Sequence, residues 1–131
     1  MIILKDLYDQ MVRQGSEALP YETCGLLTGE GPSDIQKLWP LENEWKSPHR
    51  FYVSKKVVEE TLERITAINQ TVLGVYHSHP TTAPVPSFYD LKNHADDEVK
   101  MLIISYKTSP PTVKCYSIKN FTYDEHPFSI E

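Results

Sequence analysis

Two histidines one residue apart and an aspartate downstream, His77-Ser78-His79 and Asp90, carry the most chemistry in this sequence. Side chains alternate along a strand, so histidines in this spacing share one face and their imidazole nitrogens can converge on one ion. Asp90 could add an anionic oxygen from the start of a following helix. Two imidazoles and one carboxylate leave a fourth tetrahedral position for water, the arrangement of a catalytic rather than a structural zinc. Zinc brings the pKa of such a water down towards ~7. Peptide hydrolysis also needs a base that takes the water proton and returns it to the leaving amine, a task for a carboxylate not bound to the metal. Glu22 stands alone just before an apolar run and could serve. An oxyanion needs a donor, and Ser87 is near enough to Asp90 in sequence to supply one.

Simpler readings stand beside these. Ser87-x-x-Asp90 is also the pattern of a helix capping box, which need not conflict with a catalytic serine. Glu22 by itself would be a solvated loop carboxylate. Cys24 shares strand parity with Glu22 and could face the metal, although a small buried hydrophobe is more economical there. His94, one helical turn after Asp90, could approach as an added ligand, but a surface histidine is simpler. Tyr76 and Trp39 read as core residues. Phe88 and Tyr89, beside the site, are candidates for lining a substrate groove.

The elements that must position these residues follow from periodicity. Leu4, Leu7, Tyr8, Met11 and Val12 mark an amphipathic helix ending near Gly15. Cys24 to Gly29 is a short apolar run closed by Gly29 and the Gly31-Pro32 turn, so it predicts a strand, with Ile35 to Pro40 as its partner. Phe51 to Val53 is a short extended segment. Ser54 then caps a second helix with Val58, Leu62, Ile65 and Ile68 on its buried stripe. Val72 to Tyr76 predicts a buried strand leading into His77, followed by a proline-rich loop from Pro80 to Pro86 and a short helix from Ser87 to Ala95. Met101 to Tyr106 and Val113 to Ile118 are two further strands. The rhythm is not strictly βαβ, so the expected fold is a single α/β domain of α+β character, a mixed, mostly antiparallel sheet flanked by helices.

The 131 residues suit one domain, 1–131, with its core at about 4–118. A net charge of -5 excludes a global positive field for nucleic acid or an anionic membrane. No stretch approaches the ~18 apolar residues of a membrane span, and the N-terminus does not read as a secretory signal. Cys24 and Cys115 lie far apart without CxxC spacing, which favours a reduced pair in the cytoplasm.

Glu22, His77-Ser78-His79-Pro80, Ser87 and Asp90 together resemble the signature of the JAMM (MPN+) zinc metallopeptidases, without departure in spacing. The run Glu22-x-Cys24-Gly25-Leu26-Leu27-x-Gly29, Asn43, and His49-Arg50-Phe51 further resemble small stand-alone bacterial members, and the similarity extends from about Leu4 to Tyr116. The resemblance implies a JAMM/MPN fold of cytidine-deaminase-like architecture and one Zn2+ per chain. It implies His77, His79 and Asp90 as ligands, Glu22 as general acid/base and Ser87 as stabiliser of the oxyanion. It also implies cleavage after the C-terminal glycine of a ubiquitin-like protein. This chain has no room for the insertions with which eukaryotic members grip a second ubiquitin, so a bacterial ubiquitin-like sulfur carrier is the expected partner. The alternative is a non-catalytic MPN-type interaction scaffold, disfavoured by the intact ligand set. A DNA-linked role is disfavoured by the acidic charge. A nucleoside deaminase would need H-x-E and P-C-x-x-C, neither of which is present.

Overall fold

A computed structural model describes residues 1–131. Its centre is a six-stranded sheet built from β2 (Cys24–Gly29), β4 (Lys37–Leu41), β5 (Thr71–His79), β6 (Lys100–Ser105), β7 (Thr112–Lys119) and β8 (Thr122–Glu125), in the order β4-β2-β5-β6-β7-β8. All neighbours are antiparallel except β5 and β6. That one parallel pair forces a crossover, and the crossover carries α3 (Phe88–Asn93). A second, small parallel sheet joins β1 (Ile2–Ile3) to β3 (Asp34–Ile35) and β9 (Ser129–Ile130). The expected mixed, mostly antiparallel sheet with helices is therefore the observed one.

Alternation along β5 sorts the residues to two faces. Tyr76 belongs to a core shared with Leu102, Ile104, Cys115 and Met11 of α1 (Lys5–Ala18). Val75 belongs to the opposite face, packed against Met101, Ile103, Tyr116 and Ile118 with Leu91 of the crossover helix. His77 and His79 share the parity of Val75, so both stand on that second face, beside α2 (Lys55–Ala67) and α3.

Several elements differ from the sequence reading for identifiable reasons. Helix α1 does not stop at Gly15 but runs to Ala18. Gly15 is buried under Tyr106, where an added Cβ would lie 2.3 Å from the phenol oxygen; it is a contact glycine and not a terminator. The expected strand from Ile35 to Pro40 divides, β3 turning to β1 while β4 stays on β2. On α2 the buried positions are Thr61 and Ile65, with Val58 half-buried, whereas Leu62 and Ile68 are 40% and 42% exposed. Thr61 is accommodated because its hydroxyl donates to the Val57 carbonyl at 2.7 Å. Strand β5 is longer than expected, continuing through both histidines, and α3 ends at Asn93 rather than Ala95.

Candidate active site

Strand β5 delivers His77 and His79 to the end of the sheet, flanked by β2 and β6. Both are buried, 1% and 7% exposed, and Asp90 from the first turn of α3 is equally enclosed at 7%. The His77 and His79 Nε2 atoms are 3.1 Å apart, and Asp90 Oδ2 lies 3.1 Å from the first and 3.3 Å from the second. An ion with ligands ~2.0 Å away in a tetrahedron needs its donor atoms ~3.3 Å apart. The donor triangle has that size, and its composition, two imidazole nitrogens and one carboxylate oxygen, suits an open metal site. The three residues could thus hold one metal ion.

The surroundings orient the donors. His79 Nδ1 lies 2.9 Å from the Ala83 carbonyl, which accepts its proton and turns Nε2 toward His77 and Asp90. Asp90 is oriented by its own helix: its Oδ2 accepts the Ser87 N–H at 2.9 Å, while Ser87 Oγ accepts the Asp90 N–H at 3.0 Å. The capping box read in the sequence is present, and it leaves the Ser87 hydroxyl proton free to donate elsewhere. Burial raises the Asp90 pKa, but hydrogen bonds from His77 and His79 outweigh it and hold the carboxyl well below the usual carboxylate range. For His79, burial disfavours the charged ring, yet the Asp90 hydrogen bond and the Ala83 carbonyl prevail and raise its pKa.

Glu22 arrives from the adjacent strand. The ladder pairs Cys24 with His77, so continuing the register by two residues sets Glu22 across from His79 on the same face. Glu22 is 3% exposed. Burial pushes its pKa up to about 8; the His79 charge opposes this and Asp90 adds to it. Raised so far, the group is poised to exchange a proton near neutrality. Between Glu22 and the ladder, Thr23 donates its N–H to Ser78 Oγ at 2.8 Å and accepts the Ser78 N–H at 2.9 Å.

Other candidates fall away from the triangle. Cys24 faces the same side as His77, but its Sγ is 3.9 Å from the Leu41 carbonyl, and burial followed by the Glu22 charge pushes its thiol up to about 12. It is a neutral apolar neighbour, as the simpler reading had it. His94 is turned to the Val99 carbonyl at 2.9 Å and does not join the donors. Trp39 and Tyr76 are core residues, 7% and 1% exposed. Phe88 projects into solvent at 76% exposure, whereas Tyr89 lines a cavity that also reaches His77 and Asp90.

That cavity, about 390 Å3, lies between the sheet face, α2, α3 and the 43–53 loop, with walls that include Leu26, Phe51, Val58, Val75 and Met101. The loop contacts the site twice. Phe51 stacks against His77 with ring centroids 5.3 Å apart, and the Arg50 guanidinium lies 4.7 Å over the Tyr89 ring. The sequence offered Asn43 and Arg50-Phe51 only as a resemblance, without a role. The Ala83 carbonyl, being backbone, has no residue signature by which it could have been found.

Comparison with known proteins finds relatives of this chain. The family described as prokaryotic homologs of the JAB domain matches residues 4–119. The CysO-cysteine peptidase of Mycobacterium tuberculosis is 25% identical over 134 aligned residues, covering 99% of this chain and 90% of that protein. The desampylase of Pyrococcus furiosus is 27% identical over 106 residues, covering 81% of this chain and 75% of the relative. The solution structure of a Desulfitobacterium hafniense protein superposes with a TM-score of 0.87 at 31% identity, covering 100% of this chain and 93% of the other. Site and kinship together place the protein in the class of hydrolytic metallopeptidases. Within that class the chain belongs to the family of prokaryotic JAB-domain homologs.

Proposed function

We propose that this protein is a cytoplasmic zinc peptidase or isopeptidase that cuts after the C-terminal glycine of a ubiquitin-like sulfur-carrier protein or its conjugate. His77, His79 and Asp90 hold one zinc ion per chain, Glu22 is the general acid/base and Ser87 donates to the oxyanion. The observation that carries the reading is the donor triangle of 3.1, 3.1 and 3.3 Å with the buried, high-pKa Glu22 beside it.

When bound, zinc supplies Lewis acidity, polarising the scissile carbonyl and acidifying water. Glu22 takes the proton of the attacking water as a C–O bond forms at the glycine carbonyl carbon. The Ser87 hydroxyl, held from behind by the Asp90 N–H, points its proton at the oxygen that gains charge. Glu22 then passes the proton to the leaving nitrogen as the C–N bond breaks, giving the carboxylic acid and the amine, between which the remaining proton moves to leave carboxylate and ammonium. The apolar cavity beside His77 suits the chain upstream of the glycine. The names of two relatives, CysO-cysteine peptidase and desampylase, are in keeping with a small protein conjugate as substrate. Neither nucleic acid nor membrane is assigned as a partner, in line with the net charge of -5; no helix is long and apolar enough to cross a membrane.

The test combines elemental analysis with hydrolysis of a peptide ending in Gly-Gly amide-linked to an aminocoumarin. The wild type should carry about one zinc per chain and release the dye, and His77→Ala/His79→Ala should lose both metal and activity. A wild type that takes up no zinc on reconstitution would overturn the reading.

A further inference from the structure

Glu22 lies outside the strand that follows it. Strand β2 begins at Cys24, so the ladder does not hold the Glu22 backbone. Its two backbone groups go to the 43–53 loop: the Glu22 N–H donates to the Ser47 carbonyl at 2.8 Å, and its carbonyl accepts from Asn43 Nδ2 at 2.9 Å. The same Asn43 amide nitrogen donates to the Arg50 carbonyl at 3.0 Å, and Asn43 Oδ1 accepts the N–H groups of Trp45 at 3.2 Å and Tyr52 at 3.1 Å. One side chain therefore makes four hydrogen bonds, using both amide protons and both oxygen lone pairs, which fills its bonding capacity. The loop it gathers is the one that sets Phe51 against His77 and Arg50 over Tyr89.

We infer that Asn43 is a positioning residue that fixes Glu22 and the loop walling the apolar cavity as one rigid unit, so that proton transfer and substrate seating depend on the same amide. The inference rests on the role proposed for Glu22. Geometry explains why the residue must be an amide. Two carbonyls on one side require donors, and two N–H groups on the other require an acceptor. Aspartate keeps the acceptor and loses the donors; alanine loses both.

The two substitutions separate the two jobs. Asn43→Asp frees the Glu22 carbonyl while retaining the Trp45 and Tyr52 anchors, so kcat on the Gly-Gly-aminocoumarin peptide should fall by about 10- to 100-fold with KM little changed. Asn43→Ala should lower kcat similarly and also raise KM, with zinc content unchanged in both. Loss of zinc or of cooperative unfolding in either variant would overturn the inference in favour of a general folding defect. Amide hydrogen exchange on the zinc-loaded protein gives a readout independent of turnover. Asn43→Ala should speed exchange at Glu22 and Tyr52 by roughly tenfold or more while Ser78 stays protected. Unchanged exchange at both would overturn the clamp whatever the activity. Failure of the wild type to cleave the peptide would count against the proposed function, and the exchange result would then decide the clamp alone.

Discussion

Replacing Glu22 by glutamine should stabilise the metal-free protein, and increasingly so as pH rises. The carboxyl moves from an ordinary 4.5 to about 8 because burial penalises its charged form. A group whose folded pKa lies above its unfolded one binds more protons folded than unfolded between those values. Stability is therefore lost as pH climbs from about 4.5 to about 8. Each tenfold in the ionisation constant is about 1.4 kcal/mol, so the penalty is under about 1 kcal/mol at pH 5 and approaches roughly 5 kcal/mol above pH 8. Glutamine has nearly the same size and cannot ionise, so it escapes the penalty. Urea unfolding with a chelator present, at pH 5 and at pH 8.5, should find the two proteins within about 1 kcal/mol at the lower pH. At the higher pH the glutamine variant should lead by roughly 5 kcal/mol. The titrations of His79 and Asp90 are common to both proteins and largely cancel in the difference. A gap that does not widen with pH would refute the account of Glu22 as a carboxyl held against its desolvation cost. The same variant should keep its zinc and lose hydrolysis, which separates a group tuned for proton transfer from a ligand.

Two other changes probe the frame around the donors. Ser87→Ala should cost about 1 kcal/mol through the lost cap, and about 100- to 1000-fold in kcat if its hydroxyl meets the oxyanion; thermal unfolding and kinetics read the two separately, and unchanged kcat would leave Ser87 as a cap alone. Gly25→Ala should destabilise by about 2–3 kcal/mol, seen in denaturant melts. An added Cβ there would lie 2.3 Å from Tyr76 ring atoms, and Tyr76 directly precedes His77, so zinc affinity should weaken as well.

The geometry of the donors was legible because strand alternation is a strict rule: once His77 and His79 are placed on a strand, they must share a face. Ser87 and Asp90 were legible as a cap for the same kind of local reason, since the capping box needs only four residues to declare itself. What escaped depended on distant partners. Gly15 looked like a helix stop because nothing local announces Tyr106 above it. Thr61 took the buried place expected of Leu62 because its hydroxyl could be satisfied within the helix, a compensation invisible to a hydrophobic stripe. The division of the Ile35 to Pro40 segment needed knowledge that β1 would come back to pair with Asp34 and Ile35. Asn43 was visible as a residue but not as a hub, because the four groups it joins are all backbone.

Helix α3 spans six residues, too few to be stable by itself. Its first turn is closed by Asp90 Oδ2, the same oxygen that reaches both histidines. Within the crossover between β5 and β6, α3 is thus pinned to the histidines at one atom, while the preceding loop is tied to the sheet through Thr82 and Pro84. An ion captured there would lengthen the time that contact stays shut, and its departure would loosen the first turn of α3. Metal occupancy and opening of α3 would then be coupled, so exchange of the ion need not wait for the rest of the sheet to unfold.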